Sequence, residues 1–159
     1  MTVLLPRGSD RIPSAALWLG LAGLVPFVGS LIVLVFMPEF EGGRVGRVIT
    51  VYGAIILSFL GGMLWGLASA ALGHDPLDGD SKRLLTLSAM PPVVAWLAVF
   101  LAQSAAFWVL ALAFALVLIL DRWADQLDLA PRWWMRLRIG LTAAVMGCLI
   151  TLALFGRHV

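Results

Sequence analysis

The chain alternates between long apolar stretches and short polar clusters. Five of the stretches approach or exceed the roughly 20 apolar residues that an α-helix needs to cross the hydrocarbon core of a membrane. We interpret each of them as a transmembrane helix. The predicted spans are 14–36, 49–72, 84–102, 105–120 and 137–155.

The boundary between the third and fourth spans rests on length, because no charged residue interrupts 84–120. As one helix this run would be roughly 55 Å long, nearly twice the ~30 Å hydrocarbon core. The chain must therefore turn back within it. Gln103 and Ser104 are the polar place at which we expect that turn.

The composition agrees with a membrane protein. Of 159 residues, 62% are hydrophobic and only 13% are charged, and the mean hydropathy is +1.01, whereas roughly a quarter of the residues in a soluble domain are charged. The sequence predicts an all-α integral membrane bundle of five transmembrane helices, with residues 1–159 forming one domain. We expect the first span to be a retained signal anchor, because its apolar run is long and no small-residue cleavage site follows it. The single cysteine, Cys148, provides no disulfide framework.

Positive charge predicts the orientation of the bundle. In a five-span arrangement eight basic residues lie on one side of the membrane and three lie on the other. Because basic residues concentrate on the cytoplasmic side, we expect the N-terminus in the cytoplasm and the C-terminus on the opposite side. The eight are Arg7, Arg11, Lys82, Arg83, Arg122, Arg132, Arg136 and Arg138, and the three are Arg44, Arg47 and Arg157.

The second span carries small residues at every fourth position, which places them on one helical face. Small side chains at this spacing let another helix approach closely in a membrane, where water does not drive association. We therefore expect this face to be a helix contact, and we expect Gly62→Leu to lower stability more than Leu57→Ala. The face consists of Ala54, Ser58, Gly62, Gly66 and Ala70.

Helix-breaking residues fall near the middle of three spans. Proline lacks a backbone N–H and frees the carbonyl four residues earlier, and interrupted helices that meet at mid-depth form the substrate sites of many transporters. The alternative is that these are ordinary prolines and glycines, whose freed groups are satisfied by neighbours. The residues of the possible cavity are Pro26, Tyr52, Gly61, Trp65, Ser88, Pro91 and Pro92.

A basic and aromatic cluster precedes the last span. Such a cluster can hold lipid phosphates at the cytoplasmic surface, and it can equally be a topology determinant and interface anchor without a specific ligand. Its members are Arg132, Trp133, Trp134, Arg136 and Arg138.

The sequence offers little for catalysis. We expect no ionisable side chain between the membrane boundaries of the spans, which argues against an enzyme or an ion-coupled pump. Asp121, at the cytoplasmic end of the fourth span, is interpreted as a satisfied interfacial carboxylate. His74 and His158 lie on opposite sides, and the loop 74–82 is interpreted as a helix-capping turn because it lacks the spacing of a calcium site. We therefore assign no catalytic residue, metal, cofactor or nucleic-acid partner.

Three stretches together resemble a known family. They are 12–27, 52–68 and 127–142, the last of which follows Asp121. The chain resembles the bacterial membrane family described as domain of unknown function 3429, which is also similar to the vertebrate mitochondrial transmembrane protein 69. The resemblance covers nearly the whole chain and implies a five-helix protein of the bacterial inner membrane. It implies no catalytic residue.

Two functions follow as hypotheses. The first is a non-enzymatic assembly, accessory or scaffold factor that packs through small-residue helix faces against its own helices, membrane lipids or another membrane protein. The second is a carrier or binder of an uncharged or lipidic small molecule at a mid-depth cavity. A small-residue face left open on the surface favours a partner, whereas a polar cavity that reaches the surface favours a carrier.

Overall fold

The computed structural model describes residues 10–36 and 42–155, and in this part of the chain it contains six α-helices and no β-strand. The helices are α1 (Ser14–Phe36), α2 (Gly42–His74), α3 (Gly79–Ser88), α4 (Met90–Ala98), α5 (Gln103–Gln126) and α6 (Trp134–Phe155).

Four of these helices, α1, α2, α5 and α6, are long and apolar enough to cross a membrane. They confirm four of the predicted apolar spans as helices. The fifth prediction, 84–102, falls on two short helices, α3 and α4, which meet at Ala89. The helix breaks there because Pro91 and Pro92 occupy the first turn of α4 and donate no backbone hydrogen bond to the turn before them.

The turn before α5 lies slightly earlier than expected. Residues 99–102 form it, and Gln103 is the first residue of the helix rather than part of the turn. The Gln103 amide is used in packing, since its Nε2 atom donates a 2.8 Å hydrogen bond to the Thr50 hydroxyl of α2.

The acidic turn between α2 and α3 caps a helix, as the sequence predicts. The Asp78 carboxylate accepts hydrogen bonds from the backbone amides of Asp80, at 3.1 Å, and Ser81, at 3.3 Å. Such a side chain satisfies amides that have no partner in the first turn of a helix.

Contacts between helix ends fix the directions of the helices. The Thr50–Gln103 bond joins the N-terminal parts of α2 and α5, so these two helices are parallel. The Ser104 hydroxyl of α5 donates to the Ala153 carbonyl of α6 at 3.3 Å, so α5 and α6 are antiparallel. Because α2 and α5 run in the same direction, α3 and α4 together return along the whole length between them.

Helix α5 is at the centre of the core, packed against α6 on one side and against α2 and α4 on the other, and α1 packs on α6 and α2. Phe27 of α1 is fully buried and makes edge contacts with Tyr52 of α2 and Phe114 of α5, at centroid distances of 5.3 and 6.4 Å. Only 11% of the apolar part of α1 is buried, against 39–44% for the three other long helices. The first helix is therefore the least enclosed of the four.

The basic residues are distributed unevenly between the two ends of the bundle. One end of the bundle, which we call the basic end, contains the start of α1, the α2–α3 connection and the α5–α6 connection, with Arg11, Lys82, Arg83, Arg122, Arg132, Arg136 and Arg138. The other end carries Arg44 and Arg47. Arg7 and Arg157, which also entered the prediction, lie outside the described residues.

Candidate functional site

The predicted small-residue face of α2 is covered by the protein only in its first part. Ala54 is buried, and the Ser58 hydroxyl donates back to the Ala54 carbonyl at 2.8 Å. Gly62, Gly66 and Ala70 are exposed, and a Cβ atom added at either glycine would meet nothing within 4 Å. The exposed part, which we call the open face, makes no close helix contact within the described chain.

The close backbone contact of α2 is made by Gly61 instead. A Cβ atom at Gly61 would lie 2.8 Å from both the Pro92 Cδ atom and the Ser88 carbonyl oxygen. Gly61 is therefore the position at which α2 fits against the α3–α4 junction, because any side chain there would collide with it.

This packing corrects the expectation that these mid-depth residues surround a cavity. Gly61 touches Ser88, Pro91 and Pro92 directly, and no space remains between them for a ligand. The Ser88 hydroxyl donates to the Leu85 carbonyl at 2.7 Å, and so does not point to a vacant site.

The other predicted cavity residues are dispersed. Trp65 is half-exposed on the surface of α2. Tyr52 donates its hydroxyl to the Gly23 carbonyl of α1 at 3.1 Å, one turn before the partly buried Pro26. These residues lie in different places, and none of them lines the cavity described below.

The basic and aromatic cluster divides into an outer and an inner set. Arg132 and Arg136 are exposed, and the Arg132 guanidinium lies 4.0 Å from the Asp10 carboxylate. Trp133 and Trp134 are partly buried and contact each other edge to face. Only the outer arginines have the exposure that a lipid-headgroup contact requires.

Arg138 belongs to the inner set, which corrects its placement at the lipid surface. Its Nε atom donates a 2.7 Å hydrogen bond to Asp121 Oδ2, and Trp134 Nε1 lies 3.2 Å from Asp121 Oδ1. The Asp121 side chain is fully buried and that of Arg138 is 7% exposed. An ion pair thus lies inside the bundle near the basic end. Asp121 was interpreted from the sequence as a satisfied interfacial carboxylate, and its partner Arg138 was not identified.

Asp121 and Arg138 come together because α5 and α6 are antiparallel neighbours with a short connection. Trp134, Arg138 and Thr142 are spaced by four, so they share the face of α6 that turns inward. The sequence signal that could have identified the pair is the position of Arg138 one turn inside the last helix, opposite an acidic residue near the end of the helix before it.

A cavity of about 260 Å³ lies beside this pair, between α1, α2 and α6. Its walls are mainly apolar, and its polar contributors are Trp134, Arg138 and Thr142. Leu19 of α1 and Phe59 of α2 line the cavity and are also exposed, so the opening lies between these two helices. None of the predicted cavity residues is among those that line it.

In the described part of the chain, no group of three or more histidine, cysteine or acidic side chains is close enough together to hold a metal ion. Among the described residues, the buried ionic side chains are those of Asp121 and Arg138, and they neutralise each other.

Comparison with known proteins gives a family. The model of the family described as a protein of unknown function, DUF3429, matches residues 12–154. The chain is 34% identical to Transmembrane protein 69 of Xenopus tropicalis over 151 residues, which are 87% of this chain and 53% of that relative. It is 29% identical to Transmembrane protein 69 of Mus musculus over 148 residues, 89% of this chain and 57% of the relative. The chain thus spans about half the length of these relatives. No solved structure matches.

Proposed function

Because the chain belongs to the DUF3429 family and is a membrane protein with four long apolar helices, we propose that it is a non-enzymatic accessory or scaffold factor that binds a helix of another membrane protein. The observation that supports this proposal is the open face of α2, with Gly62, Gly66 and Ala70 exposed and no atom near the glycines.

The chemistry of the open face fits a helix better than it fits lipid alone. Many exposed side chains on the long helices, such as Ile55 and Ile119, are large and apolar, as lipid contact requires. Gly62 and Gly66 of α2 are exposed without such a side chain, as are Gly140 and Gly147 of α6. A glycine on the surface of a membrane helix exposes its backbone and provides few van der Waals contacts to a lipid chain. It permits a second helix to come close enough for backbone packing.

The proposal includes a membrane arrangement. We propose one domain with five crossings, in which α3 and α4 together make the third, and a location in the bacterial inner membrane with the basic end in the cytoplasm. The direction of α3 and α4, opposite to that of α2, supports the five crossings, and the concentration of basic residues at one end supports the orientation.

Site-specific photocrosslinking tests the partner. A photoreactive amino acid is placed at Gly66, with Ile119 of α5, which is 63% exposed, as the lipid-facing control. We expect a discrete protein adduct in native membranes from position 66 and none from position 119, because only the open face should lie within reach of another backbone. Adding Gly62→Leu should remove the adduct.

Two results would contradict the proposal. One is that positions 66 and 119 give the same adducts, which would mean that the open face meets only lipid and passing neighbours. The other is an adduct of twice the mass of the chain, which would identify self-association in place of an accessory role.

A second candidate function is the binding of a lipidic small molecule. The cavity between α1, α2 and α6 favours it, although none of the cavity residues predicted from the sequence lines it.

A further inference from the structure

Two residues that line the polar end of the cavity each contain a buried atom without a hydrogen-bond partner in the described structure. The atoms are the Nη2 atom of Arg138 and the hydroxyl oxygen of Thr142, in residues that are 6% and 1% exposed. A buried polar group without a partner costs roughly 1–3 kcal/mol, so each of these two groups calls for a partner.

Thr142 differs from the other threonines in the described helices. Thr50, Thr86 and Thr151 each donate their hydroxyl to the carbonyl four residues earlier, at 2.8 to 3.0 Å. Thr142 has the same option within α6 and does not use it. Its hydroxyl is therefore unpaired, and Thr142 lies one helical turn from Arg138 on the side of α6 that lines the cavity.

Charge decides which kind of ligand fits. Asp121 already neutralises Arg138 through the 2.7 Å contact, so the site has no surplus positive charge. An anionic headgroup would add a second negative charge beside Asp121 in an enclosed, apolar place, at a large desolvation cost. A neutral oxygen acceptor can take the N–H of Arg138 and the O–H of Thr142 without that cost.

We propose that this cavity binds a neutral lipidic molecule through a carbonyl oxygen, held by Arg138 and Thr142, with its apolar body between α1 and α2. A quinone ring and the acyl ester of a glycerolipid both present such a carbonyl. The inference deepens the second candidate function and rests on it.

The shape of the cavity agrees with entry from the bilayer. Its volume of about 260 Å³ is slightly below the roughly 300–1,000 Å³ of pockets that enclose a whole drug-sized ligand. Since the opening lies between the exposed Leu19 and Phe59, a longer apolar chain can continue past it into lipid. The weak enclosure of α1 places the opening at the least tightly packed side of the bundle.

Ligand-dependent thermal stabilisation of the purified full chain in detergent tests the proposal, because a ligand that binds the folded state raises the melting temperature. The probes are decylubiquinone for the quinone source, monooleoylglycerol for the ester source, and oleate as the anionic comparison. We expect a saturable rise with at least one neutral probe and a weaker effect of oleate. The neutral probe that acts identifies the source.

Two pairs of variants locate the binding. Thr142→Val removes the hydroxyl at nearly constant volume. It should weaken binding roughly fivefold in apparent Kd, the order expected for the loss of one hydrogen bond. Thr151→Val on the same helix is its control.

Gly23→Leu should abolish binding because Gly23 lines the cavity, where an added Cβ would meet only the Tyr52 hydroxyl, at 3.9 Å. Gly29→Leu on the same helix is its control, since nothing lies within 4 Å of its Cβ position. The melting temperature of each variant without probe separates loss of binding from loss of folding.

Each contrary outcome has a distinct meaning. No saturable effect of any probe on a folded protein would overturn both the ligand class and the binding function. Binding that Gly23→Leu abolishes but Thr142→Val leaves unchanged would retain a lipid-binding cavity and overturn recognition of the carbonyl. Tighter binding of oleate than of monooleoylglycerol would overturn the neutral class.

Discussion

At the scale of single residues, the buried pair of Asp121 and Arg138 makes the sharpest energetic prediction. Arg138→Met or Asp121→Leu alone leaves an uncompensated charge in the interior, which we expect to cost about 3–5 kcal/mol. The double variant should lose much less than the sum, because it removes both charges together. Melting temperatures of the three variants in detergent measure this coupling.

The control for this cycle is the exposed pair of Arg122 and Asp125, which are 3.1 Å apart on the same helix as Asp121. Asp125→Asn should cost at most about 1 kcal/mol, since solvent screens an exposed ion pair. If the two single variants at the buried pair cost no more than Asp125→Asn, the pair is not enclosed as described.

The sequence pointed to some residues of the buried polar site but did not place them correctly. It drew attention to Trp134 and Arg138, but the positive-inside rule assigns an arginine to a surface by its position along the chain, without reference to a partner. Asp121 lies 17 residues before Arg138 in the chain. Only the antiparallel packing of α5 and α6 brings the Asp121 carboxylate to 2.7 Å from the Nε atom of Arg138. Thr142 had no distinguishing signal, because its difference from other threonines is a bond that it does not make.

At the scale of elements, two consecutive glycines of α2 are expected to behave in opposite ways. Gly61→Ala places a Cβ atom 2.8 Å from the Ser88 carbonyl oxygen, which belongs to backbone and cannot swing aside. We expect a loss of about 1–3 kcal/mol. Gly62→Ala meets nothing within 4 Å, and should be neutral or stabilising by up to about 1 kcal/mol, because alanine favours a helix.

The comparison with Leu57 corrects the earlier expectation for the same helix. Leu57 is fully buried, so Leu57→Ala should cost about 2–5 kcal/mol, whereas Gly62→Leu should leave the isolated chain almost unaffected. Thermal unfolding of the four variants tests the order, and a large loss at Gly62 in the purified chain would show that the open face is covered after all.

The lengths of the apolar runs predict the four long helices, but they do not predict the break between α3 and α4. Hydropathy identifies α1, α2, α5 and α6 because each is a continuous run. It does not distinguish one kinked crossing from two short helices at 79–98, since that depends on how Pro91 and Pro92 fit against Gly61. The spacing of small residues likewise shows that a face can be approached closely, but not whether a neighbour occupies it.

At the scale of the whole molecule, the lengths of the connections predict the directions of the helices. They do not predict how the helices pack. Short connections make consecutive helices antiparallel, so the separation of basic residues to one end could be predicted. The position of α1 could not, because its apolar residues surround the helix and favour no single face. Its loose packing against α2 leaves the opening of the cavity, a feature of the assembled bundle and not of any one segment.

The number of crossings is the remaining prediction at this scale. Single cysteines are introduced by Gly79→Cys, Ala102→Cys and Gln126→Cys in a Cys148→Ala background. All three positions are exposed: Gly79 begins α3, Ala102 ends the turn before α5, and Gln126 ends α5. Labelling with a membrane-impermeant maleimide in intact spheroplasts and in inverted vesicles should place Gly79 and Gln126 on the cytoplasmic side and Ala102 on the opposite side. The reason is that α3 and α4 return along the full length of α2, from the basic end to the end where Gln103 binds Thr50. Labelling of Gly79 and Ala102 from the same side would show that α3 and α4 do not cross, and the five-crossing arrangement would then be wrong although each helix is correct.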